Sequence, residues 1–200
     1  MKLLFVNACL RGEESRTLWL CRDYIAKFMK RASQKGEAWE LAEVDLSKEE
    51  IPVQDAESEA RIAELVSKGK FDERCFRFAK QLMEADRILI GAPYWDLQFP
   101  AKLKVWLEAC CVCGLSFYYS SEGIPQGQCR ADKLIYITTS GGAIGNLNFG
   151  YDYVKGLFAN LLGVQESEFI SAEELDIFGN DVEAILKDAE DKITEQVEKI

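Results

Sequence analysis

Two kinds of hydrophobic pattern alternate along this chain. Short apolar runs are typical of buried strands, and apolar residues repeated every three or four positions are typical of amphipathic helices. The first pattern predicts strands at residues 3–7, 39–45, 87–92, 133–139 and 168–172. The second predicts helices at residues 18–31, 58–66, 71–84, 101–113, 151–162 and 182–199.

The order of these elements predicts the architecture. If the two helical segments on either side of Gly69 count as one unit, strand and helix alternate through the whole chain. This alternation predicts an α/β fold in which helices cover both faces of a parallel sheet. Right-handed crossovers leave few topologies, and a switch point beside the first strand gives the strand order 2-1-3-4-5. No linker or repeat divides residues 1–200, so we expect one domain.

One long stretch, residues 116–132, has neither pattern. We expect it to be irregular and to have a functional role, because loops of this length are uncommon inside compact domains.

Charge narrows the choice of partner. The net charge of -10 and the pI near 4.7 argue against nucleic acid or an anionic membrane as the partner. No apolar run reaches the roughly 18 residues of a membrane helix, and the first residues are typical of a strand rather than a signal peptide. We therefore expect a cytoplasmic protein that acts on a small molecule.

Cysteine and histidine usage limits the chemistry. Seven cysteines, an odd number, favour a reducing compartment without a disulfide framework. Cys110, Cys111 and Cys113 leave a metal site open, but we expect burial in a helix and no metal. The chain has no histidine, which excludes a Ser-His-Asp triad, a Cys-His pair and a His-ligated zinc. An enzyme made from this chain must use carboxylates, tyrosine, lysine or a cofactor.

The loop after the first predicted strand has the features of a phosphate site. Ser15 is a good N-cap for the following helix, and Thr17 lies in its first turn. Arg11 and Arg16 add positive charge to a helix N-terminus, where backbone amides attract anions. Plain capping with solvated arginines is the alternative. The loop matches neither the Walker A motif nor Gly-x-Gly-x-x-Gly.

Two further loops are predicted at the same edge of the sheet. The loop at residues 93–100 carries Tyr94, Trp95, Leu97 and Phe99, which indicates a flat, partly apolar ligand; capping of the core is the alternative. Hydroxyl groups and paired glycines at residues 138–142 allow the backbone to approach a ligand closely, and a simple turn is the alternative.

These blocks together carry a family resemblance. The chain resembles the flavodoxin-like FMN-dependent NAD(P)H oxidoreductases, and within them the FMN-dependent NADH azoreductases that also reduce quinones. The resemblance covers nearly the whole chain and is carried by residues 15–17, 92–97, 100–104, 114–119 and 138–142.

The resemblance implies a bound FMN and a set of residues around it. The phosphate, the isoalloxazine ring and the pyrimidine side of that ring would be held by, in chain order, Cys9, Arg11, Ser15, Arg16, Thr17, Pro93, Tyr94, Trp95, Asp96, Leu97, Thr139, Ser140, Gly141 and Gly142. It also implies a homodimer in which Phe117 and Tyr119 form walls of the substrate slot near the partner's flavin.

The implied reaction is a ping-pong transfer of two electrons from NADH or NADPH through the flavin to a quinone, azo or nitro compound. No residue is an obligatory acid or base, and Tyr119 is a candidate proton donor. The sequence departs from the family pattern at Asp96 (commonly asparagine), at Ile144 (histidine in several relatives) and at Cys9 (a hydroxyl residue).

Two other classes of function remain open at this point. A flavodoxin-like electron carrier would bind FMN and pass single electrons. A binding or regulatory protein would keep the fold with an empty or altered pocket.

Overall fold

A computed structural model describes residues 1–199 of the chain. Its strands are β1 (Lys2–Asn7), β2 (Glu40–Asp45), β3 (Arg87–Gly91), β4 (Phe117–Tyr119), β5 (Pro125–Gly127), β6 (Lys133–Thr139) and β7 (Glu166–Ala172). Its α-helices are α1 (Arg16–Gln34), α2 (Ala56–Ser67), α3 (Arg77–Met83), α4 (Ala101–Cys110), α5 (Phe149–Leu157) and α6 (Val182–Glu198). A single turn of π-helix, Phe158–Leu162, extends α5.

Five strands form one parallel sheet in the order β2-β1-β3-β6-β7. The predicted α/β fold and strand order are thus confirmed, because these are the five strands that the hydrophobic runs predict. Parallel register brings the last residues of neighbouring strands level. Asn7 of β1 pairs with Asp45 of β2 and with Gly91 of β3. The loops that follow these strands therefore emerge at one edge of the sheet.

The sheet separates two hydrophobic cores, because successive strand residues point to opposite faces. Leu3 and Phe5 of β1 belong to the core that α1 and α6 cover. Leu4 and Val6 belong to the core that α3, α4 and α5 cover. Every residue of β3 is buried, as expected for the central strand of a sheet with helices on both faces.

The helices differ from the predicted ones mainly in their ends. The segments on either side of Gly69 are two separate helices, and a short 3-10 turn at Arg74–Phe76 precedes α3. Helix α4 ends at Cys110, three residues earlier than predicted, and Trp106 and Cys110 are buried in the core. No helix within residues 1–199 is long and apolar enough to cross a membrane.

The stretch at residues 116–132 is not wholly irregular, so that prediction was wrong in part. Strands β4 and β5 form an antiparallel hairpin within it. Three-residue strands with polar surroundings leave no hydrophobic run long enough to be recognised in the sequence. The first residue of the hairpin, Phe117, is buried.

The hairpin crosses the π-helical turn with almost no space between the two backbones. A Cβ atom on Gly127 would lie 1.9 Å from the carbonyl carbon of Leu162 and 2.2 Å from the amide nitrogen of Gly163. The amide of Cys129 donates to the carbonyl oxygen of Leu162 at 3.2 Å beside this crossing. Only glycine fits at position 127.

We expect Gly127→Ala to lower the free energy of unfolding by about 3 kcal/mol, because backbone must move to admit the methyl group. Urea denaturation measures the change. The control is Gly156→Ala in α5, where an added Cβ meets nothing within 4 Å. That substitution should raise stability by about 0.5–1 kcal/mol through helix propensity. Equal effects of the two substitutions would contradict the crossing.

Candidate functional site

A cleft of about 480 Å³ opens at the edge of the sheet where the strands end. The loops after β1, β3, β6 and β7 contribute its walls. The lining residues are Arg11, Glu14, Ser15, Arg16, Pro93, Tyr94, Trp95, Thr139, Ser140, Gly141, Leu175 and Asp176. Nine of the fourteen cofactor-binding residues that the resemblance implies are among them.

The N-terminus of α1 forms one end of the cleft. The Ser15 Oγ accepts a hydrogen bond from the Leu18 amide at 3.3 Å, which caps the helix as its sequence predicts. The amides of Arg16 and Thr17 precede the first intrahelical donors and have no partner within a helix of this kind. Such a helix end attracts an anion through its amides and its dipole.

Each arginine that lines the cleft faces a carboxylate. The Arg16 guanidinium lies 2.9 Å from the Asp176 carboxylate, and the Arg11 guanidinium lies 3.6 Å from that of Glu14. All four side chains are well exposed, so these ion pairs contribute little to stability. The two carboxylates reduce the positive charge that the arginines offer to a ligand. The positions of the arginines in the sequence give no sign of this effect.

Thr17 and Cys9, which the resemblance assigns to the cofactor, lie beneath the cleft instead of lining it. The hydroxyl groups of Thr17 and Thr139 are 2.7 Å apart, and this hydrogen bond joins α1 to the end of β6. The Cys9 Sγ donates to the carbonyl oxygen of Gly91 at 3.6 Å. Burial raises the pKa of Cys9 to about 11, so its thiol is neutral near pH 7. Both side chains support the floor of the cleft.

The aromatic loop after β3 contributes Pro93, Tyr94 and Trp95 to the cleft. The Tyr94 amide donates to the carbonyl oxygen of Thr139 at 3.0 Å, and its hydroxyl donates to that of Leu147 at 3.0 Å. Phe99 is instead buried in the core, so for this residue the alternative of core capping is correct.

Asp96 and Leu97 form the tip of this loop and do not line the cleft. They have φ angles of 50° and 68°, and on either side of them Trp95 and Gln98 exchange two backbone hydrogen bonds of 3.2 and 2.8 Å. A two-residue turn with both φ angles positive normally takes Asn-Gly or a similar pair. A leucine there is strained, and strained backbone is concentrated at functional sites.

The loops after β6 and β7 form the opposite wall. The Ser140 hydroxyl donates to the carbonyl oxygen of Gly142 at 2.6 Å, which closes a turn that keeps Gly142 out of the cleft lining. The Leu175 and Asp176 amides donate to the carbonyl oxygens of Ser140 and Gly141 at 3.1 and 3.0 Å.

Sequence reasoning missed three residues that line the cleft, Glu14, Leu175 and Asp176. Two of them follow β7. The topology offered a signal, because the loop after the fifth strand must leave the sheet at the same edge as the other loops.

Phe117 and Tyr119 lie in the hairpin and not at the cleft of their own chain. Their rings make an edge-to-face contact with centroids 5.6 Å apart. Phe117 is buried, whereas 55% of the Tyr119 surface is exposed. A role in the cleft would require a second copy of the chain.

The cysteines at the end of α4 differ in their burial. Cys110 is buried, Cys111 is half-buried and Cys113 is exposed, so the expected burial holds only for the first. No group of histidine, cysteine, aspartate and glutamate side chains within the described residues could hold a metal ion. All seven cysteines are free thiols.

Comparisons with known proteins agree with this geometry. A family described as having a flavodoxin-like fold matches residues 1–197. An FMN-dependent NADH:quinone oxidoreductase of Lachnoclostridium phytofermentans is 33% identical, over 96% of this chain and 95% of that protein. Another, from Clostridium acetobutylicum, is 32% identical over 99% and 98%. This chain belongs to the FMN-dependent NADH:quinone oxidoreductases of the flavodoxin-like fold. The family that the sequence resembles is thereby confirmed.

Solved structures show the same fold. An azoreductase from Bacillus anthracis superposes with a TM-score of 0.86, at 23% identity and over the full length of both chains. A structure of an FMN-dependent NADH-azoreductase from the same species, in complex with FMN, has a TM-score of 0.84 at 18% identity, over 99% of this chain and 98% of that one.

The strained turn beside the cleft gives a test within this oxidoreductase. We expect Leu97→Gly to raise the free energy of unfolding by about 1 kcal/mol, because glycine adopts a positive φ without a steric penalty. Urea denaturation measures the change.

Leu147→Gly is the control for the strained turn. Leu147 is also an exposed loop leucine, and its φ is not positive. This substitution should lower stability, because it only adds freedom to the unfolded chain. If Leu97→Gly lowered stability as much as Leu147→Gly does, the backbone at Leu97 would not be strained.

Proposed function

We propose that the protein binds FMN in the cleft and uses it to transfer two electrons from NADH to quinone and azo compounds. The observation that carries this proposal is the pairing of an open helix N-terminus with aromatic residues in one cleft. Arg16 and Ser15 would lie beside the anionic part of a ligand, and Tyr94 and Trp95 would lie beside its planar ring. FMN has a phosphate at one end and a flat ring system at the other.

The residues present fit that cofactor. The cleft volume of about 480 Å³ lies in the range of about 300–1,000 Å³ that is usual for small-molecule sites. The amides at the start of α1 and the Ser15 hydroxyl would hold the phosphate. Thr139, Ser140 and Gly141 line the cleft where the polar edge of a ring would lie. The side chains of Tyr94 and Trp95 would lie along the ring.

FMN, when bound, supplies the hydride chemistry, accepting two electrons from NADH and releasing them to the acceptor. The residues of the chain then have to bind the cofactor, orient the donor and acceptor against it, and shield it from water. The hydrogen bond between Thr17 and Thr139 joins the start of α1 to the end of β6 and so supports the cleft between them. Trp95 lines the cleft and is exposed, so it offers an apolar surface to a flat donor or acceptor.

Several finer features belong to the same proposal. Donor and acceptor would use the same open face in turn, which gives ping-pong kinetics, and nitro compounds would be accepted as flat electron acceptors. NADH is favoured over NADPH because Glu14 and Asp176 already face the cleft arginines. In a homodimer the partner's hairpin would bring its aromatic residues to the cleft, because the hairpin of the same chain does not reach it. Tyr119 is exposed there and available as a proton donor.

We expect the purified protein to bind FMN and to show the absorbance bands of an oxidised flavin. Anaerobic addition of NADH should bleach those bands in a single two-electron step, and a soluble quinone should restore them. A visible absorbance spectrum recorded during the titration measures both steps.

Three outcomes would contradict the proposal. A colourless protein that takes up no added FMN would indicate a binding or regulatory protein. Bound flavin that NADH does not bleach would exclude the reductase. Accumulation of a one-electron reduced state would indicate an electron carrier.

Asp176 offers a test of the phosphate end. Its carboxylate lies 2.9 Å from the Arg16 guanidinium, where it competes with a phosphate for the same cation. We expect Asp176→Asn to tighten FMN binding by about three- to tenfold, since it removes a like charge from the site. Quenching of flavin fluorescence measures the dissociation constant.

Riboflavin and a distant aspartate control this test. Riboflavin has no phosphate, so Asp176→Asn should leave its affinity unchanged. Asp188→Asn removes the same charge from an exposed position on α6 and should leave both affinities unchanged. An equal effect on FMN and riboflavin would show that Asp176 does not act on the phosphate.

A further inference from the structure

A much smaller cavity lies at the opposite edge of the sheet, where β3 and β6 begin. Its volume is about 70 Å³. Helices α1 and α6 close it from one face, and the lining residues are Tyr24, Arg87, Lys133, Ile135, Gln196 and Lys199. None of these residues belongs to the cleft described above.

Arg87 is the central side chain of this cavity, and it is nine-tenths buried. Its Nε donates to the Asp132 carboxylate at 3.0 Å, and its Nη2 donates to the second oxygen of the same carboxylate. The guanidinium lies over the rings of Phe28 and Trp39, 5.3 and 5.7 Å from their centroids. These contacts hold the group rigidly in place.

The remaining nitrogen of this guanidinium, Nη1, is buried and has no acceptor among residues 1–199. A guanidinium can only donate hydrogen bonds. A buried charged donor without an acceptor is costly, so such groups in native proteins have an explanation in a bound water or ion. An acceptor held in the cavity would give this nitrogen a partner.

The other polar groups of the cavity are mostly donors as well. Lys133 and Lys199 also line the cavity and add positive charge to its surroundings. Burial raises the pKa of Tyr24 to about 12, although the neighbouring Arg87 guanidinium acts to lower it, so the hydroxyl keeps its proton and can both donate and accept. The nearby carboxylates are already engaged: Asp132 binds Arg87, and Glu168 accepts from Gln196 at 2.5 Å and lies 3.9 Å from Lys133.

We propose that this cavity binds one small tetrahedral oxyanion, inorganic phosphate or sulfate. The volume of about 70 Å³ is roughly twice the ~30 Å³ that one water molecule takes up in the liquid. An oxyanion supplies acceptors only, in several directions, and suits a cavity whose lining includes Arg87, Lys133 and Lys199. Such an ion bridges the starts of two central strands and the end of the last helix. Its role is to stabilise the fold far from the reaction.

Calorimetric titration tests the site on the FMN-loaded protein, in which the helix N-terminus of the cleft is occupied. Sodium sulfate and sodium phosphate are titrated separately at constant ionic strength. We expect saturable binding of one ion per chain and a rise in Tm over the same concentrations. Lys133→Met should weaken binding by about tenfold, because it removes one charged donor, and Lys133→Arg should restore it.

Lys192→Met is the matched control. Lys192 is exposed on α6 and outside the cavity, and the substitution changes the charge of the chain by the same amount. It should leave the affinity unchanged. Absence of saturable binding would mean that water alone fills the cavity and would overturn the proposal. Equal weakening by Lys133→Met and Lys192→Met would also overturn it, since that result indicates a general charge effect.

Discussion

The parallel register of the central strands is the constraint on which the rest of the molecule depends. Since Asn7 lies level with Asp45 and Gly91, the loops after these strands have no choice but to emerge together. The partly buried hydrogen bond between Thr17 and Thr139 then joins the first helix to the fourth strand of the sheet. Residues far apart in the chain become neighbours in one cleft because a hydrogen-bonded ladder aligns the points at which they leave the sheet.

Strong local patterns made most of the fold predictable, and contacts between distant segments set the rest. The buried strand at Arg87–Gly91 and the N-cap at Ser15 follow from a few adjacent residues, and both occur as expected. The hairpin was missed because its short strands depend on a crossing with the π-helical turn. Phe99 was assigned to the ligand because composition does not reveal which side of a loop its aromatic residues face.

The lining of the cleft was also predictable where it depends on local sequence patterns, and it was missed where it depends on contacts between distant segments. Arg16 begins the helix that follows β1, and Tyr94 lies in the loop that follows β3; both line the cleft. Asp176 was missed, although it most alters the electrostatics of the cleft. Its position beside Arg16 comes from a contact across 160 residues of chain. Attraction between such distant charges depends on the folded structure and leaves no local pattern.

The contact between Gly127 and the π-helical turn has a consequence for how this protein can diversify. The hairpin is positioned where backbone meets backbone, and the exposed side chains of Tyr118, Tyr119 and Ile124 take no part in that contact. Mutation of Tyr118 and Ile124 can therefore change the surface of the hairpin while the backbone contact that positions it is kept. Tyr119 is more constrained, because its ring packs against the buried Phe117. The exposed surface of the hairpin can therefore change its chemistry, and with it the specificity of the protein, while the backbone contact at Gly127 is kept.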